Sequence, residues 1–544
     1  MENNGNSFFA RHKYFLLTVL VGGFFLSLTL WFGFGLDQSI YAYGAWVWKT
    51  YHQPPYSGVW DPNYPGIFII NLAVQEIFGD RIISFRVFDF LAQMTSLAMI
   101  FYLAKKLSGS EKAGMLAGVL FSICYFGNGM TDTGQREGFI LWLMLISLTV
   151  SFAFEKKVWL RAAVAGLCLG FAVLLKPTFG LSWLVFGLFF LTQGIRQRPK
   201  LVWAELFIFG CSCLVPALLV IFYYWRIDQL PELYKALIWY NFSIYRITPN
   251  LVYAHLPKWF LPMILIHDLF IQEPILFCAA ILAVIIFPIK SAAPKQKSLF
   301  WVLLALCATN LFSYLLLRKY FPYHLLPFWG LFIILAGWAW TGAASILQAM
   351  IANGSKKFFM PAFYILLVVL MLASVNPEQM IFAAQHSFRN LQSAYLDENG
   401  YYSDPHQTID QHRAVARIQS LLRPGANEKV DFCGSYPLIP FLLKQKMASR
   451  FCCLQYVLET PPGKEMSAQQ KQWVKEYSDS IINEKPRFFV IHDYIPGYLS
   501  VGLSSPSMKT AISEKFPELD KFLRQNYRLA DKIGSVEIYE FKPQ

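Results

Sequence analysis

The sequence predicts an α-helical, multi-pass membrane protein with about 11 transmembrane helices and a C-terminal soluble α/β domain. Of its 544 residues, 56% are hydrophobic and only 15% are charged, whereas a soluble domain has about 25% charged residues. Most apolar residues fall into runs of about 17–25, which is the length of a helix that crosses a bilayer. Beyond residue 375 these runs stop, and mixed helix and strand patterns follow.

Eleven apolar runs are long enough to be spans. The run nearest the N-terminus has no small-residue cleavage site after a short apolar core, so we expect a retained first helix rather than a signal peptide. The expected spans lie near residues 14–36, 82–104, 113–130, 138–154, 159–175, 177–194, 201–225, 273–289, 299–317, 324–348 and 358–375.

Alternate loops between these runs are basic. Cytoplasmic loops carry an excess of lysine and arginine, so this pattern predicts a cytoplasmic N-terminus and an odd number of spans. The net charge of +13 then reflects membrane topology and gives no reason to expect nucleic-acid binding. The basic loops contain Arg11 and Lys13; Lys105, Lys106 and Lys112; Lys156, Lys157 and Arg161; Arg196, Arg198 and Lys200; Lys290, Lys295 and Lys297; and Lys356 and Lys357.

The chain divides into a membrane module, residues 1–375, and an exported α/β domain, residues 376–544. The module has two long outside loops, 37–81 and 226–272. In the tail, "KPRFFVIHDYI" has the pattern of a buried strand and "DKIGSVEIYEFK" that of a terminal strand.

Three tail cysteines suggest one disulfide, from Cys433 to either Cys452 or Cys453, in an oxidising compartment. No cysteine pair has zinc-site spacing with histidines, so we expect no metal site of that kind.

Ionisable residues collect at the outer ends of the spans. Such groups are costly near a membrane and usually face a cavity or a partner. An acid there can deprotonate a hydroxyl group, and cations can hold a phosphate and stabilise its developing charge. This inventory indicates group transfer from a lipid-linked phosphate donor. Its principal members are Asp37, Arg86, Asp132, Lys176, Arg318 and His324.

Simpler roles exist for several of these groups. A cation at a span end can extend its charge to the interface, and we favour that role for Lys49, Lys258 and Lys319. Asp37 precedes a helical pattern and can serve as its N-cap. Asp132 can pair with Arg136.

Four stretches resemble polyprenyl-phosphate-dependent glycosyltransferases of the GT-C fold, in the superfamily of protein O-mannosyltransferases and lipid A aminoarabinose transferases. The likeness covers roughly residues 14–350. The stretches, which occur in the family's order, are "GLDQSIYAYGAWVWKTYHQPPYSGVWDPNYPGIFIINLAVQEIFGDRIISFRV", "TDTGQREGF", "LLKPTFGL" and "RKYFPYHLLPFWGLFIILAG".

The resemblance implies a role for each matching residue. Asp37 would be the catalytic base that activates the acceptor, and Asp132 a second acid that orients the acceptor or a cation. Lys176 and Arg318 would contact the donor phosphate. Arg86 and His324 are matched to the same phosphate. Gln38 departs from relatives that have two adjacent acids, so only Asp37 can act as base there.

The resemblance further implies an inverting glycosyltransferase in a bacterial inner membrane, with a periplasmic C-terminal domain. Its partners would be a polyprenyl-phosphate-linked sugar donor, a glycan, lipid or protein acceptor, and membrane lipids. Hydroxyl attack needs no cofactor, although an acid pair can hold a divalent cation, so metal dependence stays open.

Three other functions are compatible with a multi-pass protein. A polysaccharide polymerase or ligase with a diphosphate-linked donor favours an arginine-rich central outside loop, yet residues 226–272 contain only Arg226 and Arg246. A transporter favours paired broken helices and acids deep within the spans. A binding scaffold would not depend on Asp37.

Overall fold

The computed structural model describes most of the chain, and its architecture confirms the predicted fold class. Within the described residues, 8 helices are long and apolar enough to cross a membrane. The predicted span 113–130 is a shorter helix of 17 residues, Glu111–Gly127. The predicted spans 273–289 and 358–375 lie outside the described residues. Described are residues 8–248, 293–317, 319–350, 409–423, 428–435, 437–461, 464–494 and 503–542, with single residues between 260 and 269 and between 381 and 388.

Helices make up nearly all of the described chain before residue 351. They are α1 Phe8–Leu28, α2 Leu36–Tyr51, α3 Gly66–Phe78, α4 Ile82–Ser108, α5 Glu111–Gly127, α6 Gly129–Asp132, α7 Arg136–Ala153, α8 Val158–Leu175, α9 Leu181–Gln197, α10 Val202–Arg226, α11 Leu230–Tyr234, a π-helix Lys235–Tyr245, α12 Pro294–Leu317 and α13 Leu326–Met350. Short 3₁₀ turns cover Thr29–Trp31, Pro177–Gly180 and Pro322–Leu325.

The chain forms two compact units. The first comprises residues 1–31, 86–219 and 256–387, and the second comprises residues 32–85, 220–255 and 388–544. The predicted division at residue 375, between a membrane module and an exported domain, stays a prediction.

Within the first unit, α8 packs closely against α10. A Cβ atom at Gly166 would lie 2.6 Å from the carbonyl oxygen of Phe209, and one at Gly170 would lie 2.4 Å from that of Cys213. Small residues four apart allow helix backbones to approach in this way. The glycine pair therefore determines the spacing of these two helices.

A buried ion pair joins the same two helices near their N-terminal ends. Arg161 Nε donates to Glu205 Oε1 at 2.5 Å, and Arg161 Nη1 donates to Gln193 Oε1 at 3.2 Å. Both charged side chains are almost fully buried. Arg161 was expected among the charges of a basic loop, but it links α8, α9 and α10.

The second unit has an aromatic core to which the tail contributes. Trp60 lies 4.5 Å from Trp473 between ring centroids and 5.1 Å from Tyr240. Its backbone N–H donates to the carbonyl of Arg450 at 2.8 Å. Arg450 in turn donates to Glu232 at 2.6 Å. Segments distant in sequence are therefore held together by both packing and charge.

The tail contains a sheet of four strands, β1 Val430–Cys433, β2 Phe488–His492, β3 Tyr527–Ile533 and β4 Val536–Phe541. Their order in the sheet is β1-β2-β4-β3. Strands β1 and β2 are parallel, whereas β4 is antiparallel to both of its neighbours. The elements of the tail are α14 Ile409–Leu421, β1 Val430–Cys433, α15 Leu438–Leu443, α16 Gln455–Leu458, α17 Ala468–Glu484, β2 Phe488–His492, α18 Met508–Lys515, α19 Pro517–Asn526, β3 Tyr527–Ile533 and β4 Val536–Phe541.

The predicted strand in "KPRFFVIHDYI" is confirmed as the buried strand β2. The single terminal strand predicted for "DKIGSVEIYEFK" is wrong, because this segment turns at Gly534 between β3 and β4. Gly534 has φ +54°, and a Cβ atom there would lie 2.0 Å from Asp410 Oδ2. Asp410 occupies that space by accepting from the Ser535 N–H at 2.9 Å.

The predicted tail disulfide is absent from the described residues. Cys433, Cys452 and Cys453 are all free and buried. Cys453 instead donates from Sγ to the carbonyl of Ser435 at 3.2 Å.

Two buried groups of the sheet should give opposite pH dependences of stability. Burial raises the pKa of Asp431 to about 7 and lowers that of His492 to about 4. The contribution of Asp431 to the free energy of unfolding is fully present below about pH 4 and is lost as the pH rises towards 7. The contribution of His492 to the free energy of unfolding is fully present above about pH 6.5 and is lost as the pH falls towards 4.

These two effects should nearly cancel between pH 4 and 6.5. We expect His492→Gln to make the sheet less stable as the pH rises, and Asp431→Asn to make it more stable, each by up to about 1.4 kcal/mol per pH unit. Hydrogen exchange of the β1 and β2 amides, corrected for intrinsic rates, measures both slopes. Slopes of the same sign in the two variants would contradict this account.

Candidate active site

Asp37 lies in the first turn of α2, but it is not the N-cap that the sequence predicted. The N-cap residue is Gly35, whose N–H donates to Gln38 Oε1 at 3.1 Å. Gln38 therefore satisfies the helix terminus, and Asp37 lies one residue inside the helix. A carboxylate in the first turn is stabilised by the positive end of the helix dipole.

The surroundings of Asp37 within the second unit are acidic and aromatic. Burial, and the nearby charges of Asp61 and Asp37, raise the pKa of the Tyr456 phenol well above its ordinary value. Burial, and the charges of Asp61 and Asp37, likewise raise the pKa of the Cys453 thiol. A phenol that stays protonated can donate a hydrogen bond to an oxygen of a bound substrate.

Asp61 is a functional candidate to which the sequence gave no role. It is fully buried, and its Oδ1 accepts from the Asn63 N–H at 2.7 Å. Its position in "DPNYPG" is typical of a turn, so the sequence offered no reason to prefer it over other acids of the loop. Its burial near Tyr456 is the signal that the structure adds.

In the first unit, Lys176 and His324 meet at Glu137. Lys176 Nζ lies 2.5 Å from Glu137 Oε1, and His324 Nε2 lies 3.7 Å from the same oxygen. All three side chains are buried. Pro177 begins a 3₁₀ turn directly after Lys176, which ends α8 and fixes the lysine at the helix end. The structure thus brings together two of the predicted phosphate residues and adds a carboxylate.

Two further cations lie close enough to His324 to influence it. Arg136 and Lys319 both exert an electrostatic effect on His324, as Lys176 does. Both are buried, so Lys319 does not extend to the interface as the sequence suggested. Glu137, Lys176, His324, Arg136 and Lys319 are called the cation cluster below.

The cation cluster contains buried polar atoms without a hydrogen-bond partner among the described residues. Glu137 Oε2 and His324 Nδ1 are two such atoms. Buried polar groups are nearly always paired, so the two atoms suggest a bound group with hydrogen-bonding capacity. Asn310 Nδ2 on α12 is similarly unpaired, one turn from Ser313, which donates to Thr178 at 2.5 Å.

Arg86 lies in a different buried network, where it holds the loop that carries Asp132. Its Nη1 donates to Thr133 Oγ1 at 3.1 Å, and its Nη2 donates to the carbonyl of Met130 at 3.2 Å. Asp89 accepts from Tyr125 Oη at 2.7 Å. Arg86 therefore positions the turn at residues 130–133, and its predicted contact with the phosphate stays a prediction.

Asp132 ends the short helix α6 and is half-buried. The turn that follows is fixed by the Gly134 N–H, which donates to Tyr125 Oη at 2.9 Å. Arg318 lies outside the described residues, so its predicted contact with the phosphate stays a prediction.

Tyr125→Phe should destabilise the first unit. The hydroxyl group pairs with both Asp89 and the Gly134 N–H. Its loss leaves the buried Gly134 N–H without this acceptor and removes one of two hydrogen bonds to Asp89 Oδ1, which also accepts from Gln93. We expect a loss of about 2–4 kcal/mol, measured by thermal unfolding in detergent. Tyr102→Phe is the matched control, because that hydroxyl accepts only a 3.3 Å bond from Lys106. Equal effects of the two substitutions would contradict the assignment.

Within the described residues, no group of three or more His, Cys, Asp and Glu side chains could hold a metal ion. The chemistry that these sites supply directly is that of carboxylates, cations and phenols.

Comparison with known proteins gives one family and several solved structures. Residues 62–225 match the family described as dolichyl-phosphate-mannose-protein mannosyltransferase, which is less than half of the chain. None of the curated protein sequences compared with the chain matches it.

Solved structures similar to this chain include ArnT and an archaeal oligosaccharyltransferase. ArnT from Cupriavidus metallidurans bound to undecaprenyl phosphate is 15% identical, with a TM-score of 0.53 over 98% of this chain and 100% of ArnT. The archaeal oligosaccharyltransferase AglB from Archaeoglobus fulgidus, in complex with an inhibitory peptide and a dolichol-phosphate, is 11% identical. Its TM-score is 0.51, over 99% of this chain and 75% of AglB.

At these identities the structural likeness establishes the fold. The chain is a multi-pass membrane protein of the GT-C fold, and its predicted resemblance to the polyprenyl-phosphate-dependent glycosyltransferases of that fold is confirmed.

Proposed function

We propose that this chain is an inverting glycosyltransferase of a bacterial inner membrane. It moves a sugar from a polyprenyl-phosphate donor to an acceptor hydroxyl group on the periplasmic face. The observation that carries the proposal is the cation cluster, in which Lys176 and His324 lie at the Glu137 carboxylate. The other two cations of the cluster are buried and act electrostatically on His324. The cluster holds three cations and one carboxylate, and cations at such a site can hold a phosphate and stabilise its charge. The phosphate of a lipid-linked donor is an anion of this kind.

The reaction transfers one glycosyl group and one proton. Asp37 removes the proton of the acceptor hydroxyl, and the oxygen attacks the anomeric carbon. The bond from that carbon to the phosphate oxygen breaks, and its electron pair stays with the lipid phosphate. Lys176 and Arg318 stabilise this charge, with His324 beside Lys176 as a hydrogen-bond donor. Such stabilisation can lower a barrier by several kcal/mol, since one well-placed donor contributes about 3–4 kcal/mol.

Asp132 and Asp61 have supporting roles in this scheme. The turn held by Arg86 presents Asp132, which orients the acceptor. Asp61 and Tyr456 form the polar surroundings of Asp37. The scheme uses no metal, and an assay with a chelator followed by added Mg²⁺ or Mn²⁺ tests that point.

Mass spectrometry of surface glycans and glycoproteins from a deletion strain tests the proposal in the cell. We expect the loss of one sugar residue, restored by the wild-type gene and not by Asp37→Asn. An unchanged glycan profile would contradict the proposal. Restoration by Asp37→Asn would indicate a scaffold instead.

A further inference from the structure

The second unit has an open groove distant in sequence from Asp37. The groove has a volume of about 610 Å³ and is lined by Pro231, Tyr234, Lys235, Trp239, Ser467, Ala468, Gln469 and Gln472. Its two walls are the segment from α11 into the π-helix and the first turns of α17. A volume of this size is typical of a small-molecule site.

The winding of the π-helix places two aromatic rings on one wall. Tyr234 and Trp239 are five residues apart, and in an α-helix such residues point about 140° away from each other. Hydrogen bonds from i to i+5 wind residues Lys235–Tyr245 more widely, and both rings line the groove. Helices of this kind are rare in proteins, and those that occur are often found at functional sites.

The aromatic wall is rigidly supported from behind. The ring of Trp239 meets that of the buried Trp473 edge to face, with centroids 5.7 Å apart. Trp473 is itself packed against Trp60 and Phe451. Tyr234, in contrast, is 60% exposed. The wall therefore presents one anchored ring and one accessible ring to a ligand.

The opposite wall is polar and ordered. Ser467 caps α17 together with Gln470, whose Nε2 donates to the carbonyls of Val457 and Glu459. Gln469 and Gln472 present their amides on the exposed side and form a 3.2 Å hydrogen bond. Because this helix end is already fixed, ligand binding costs little conformational entropy there.

The charges of the groove select the class of ligand. Among the described residues that line the groove, Lys235 is the one cation, and its Nζ lies 2.8 Å from Glu232 Oε1. A phosphorylated or acidic ligand would need an uncompensated cation, and an acyl chain would leave the amides without partners. A sugar ring has an apolar C–H face that packs on aromatic rings and hydroxyl groups that pair with amides.

We propose that this groove binds neutral sugar units of a glycan chain, which is the acceptor of the transfer reaction. The role as acceptor site rests on the proposed function, whereas binding itself does not. The groove lies in the same unit as Asp37, so it would retain a glycan acceptor between transfers. The acceptor class is accordingly a glycan rather than a protein.

The binding test uses the full chain in nanodiscs and an array of neutral oligosaccharides of hexoses and N-acetylhexosamines. We expect the wild type to bind, and the affinity for the best oligosaccharide, measured by calorimetry, to fall at least 10-fold in Trp239→Ala and Tyr234→Ala. Phe242→Ala is the matched control, because Phe242 is 56% exposed on the same π-helix and does not line the groove. No binding by the wild type, or equal losses in all three variants, would overturn the proposal.

A second readout separates this proposal from the proposed function. Asp37→Asn should bind the oligosaccharide as the wild type does, although it transfers no sugar. With that oligosaccharide as acceptor, Tyr234→Ala should raise KM at least 10-fold and leave kcat unchanged. An unchanged KM would overturn the acceptor role. Glycan binding without transfer by the wild type would overturn the proposed function and leave the binding site standing.

Discussion

Asp37→Asn is expected to lower sugar transfer by about 10²–10⁴-fold, the usual contribution of a general base. Asparagine keeps the size of the side chain but cannot take the acceptor proton. The neighbouring residue is Gln38, which cannot replace the lost base. Donor turnover by the purified protein measures the effect. Turnover within a factor of two of the wild type would remove Asp37 from the mechanism.

The fold should survive this substitution. Asp37 is half-buried in the first turn of α2, and the lost interaction with the helix dipole costs about 0.3–1 kcal/mol. Gln38→Ala is the matched control for helix damage, because it removes the bond to the Gly35 N–H. We expect that control to lose about 1 kcal/mol of stability and to retain transfer. Undecaprenyl phosphate binding should be unchanged in both variants.

Lys176→Met has the second large effect, because it removes a cation that pairs with Glu137 and that we propose binds the donor phosphate. Glu137 would remain buried and charged without its 2.5 Å partner. Breaking a buried pair from one side costs about 3–5 kcal/mol. We expect a strong fall in thermal stability together with loss of undecaprenyl phosphate binding.

The double variant Lys176→Met/Glu137→Gln separates these two losses. Removing both charges is often nearly neutral, so the double variant should be more stable than Lys176→Met. It should still bind undecaprenyl phosphate at least 10-fold more weakly than the wild type, because the cation is absent. Recovered binding in the double variant would show that Lys176 acts only as the partner of Glu137.

The membrane architecture could be predicted because it follows from run length and loop charge. Spans such as Ile82–Ser108 and Val202–Arg226 are long and predominantly apolar, and a bilayer leaves little choice for such segments. The hairpin at the end of the tail was harder to predict. Alternation continues across Gly534, and only the contact of that glycine with Asp410 shows where the chain turns.

The candidate site could be predicted only in part, because partners come from distant segments. Lys176 and His324 stood out as polar residues at span ends, but nothing in the sequence joined them to Glu137. The guanidinium group of Arg86 looked equally suited to a phosphate. Its bonds to the carbonyl of Met130 and to Thr133 depend on how the turn at residues 130–133 folds back on α4. Charge type was visible in the sequence, whereas charge pairing was not.

The central claim is that the chain breaks the bond between a sugar and a polyprenyl phosphate. The most direct measurement incubates the purified protein in nanodiscs with a panel of synthetic polyprenyl-phosphate sugars and a neutral glycan acceptor. Mass spectrometry and NMR then follow both products. We expect one donor to yield free polyprenyl phosphate and an equal amount of glycoside with inverted anomeric configuration. Consumption of a polyprenyl-diphosphate donor alone, or of none, would contradict the claim.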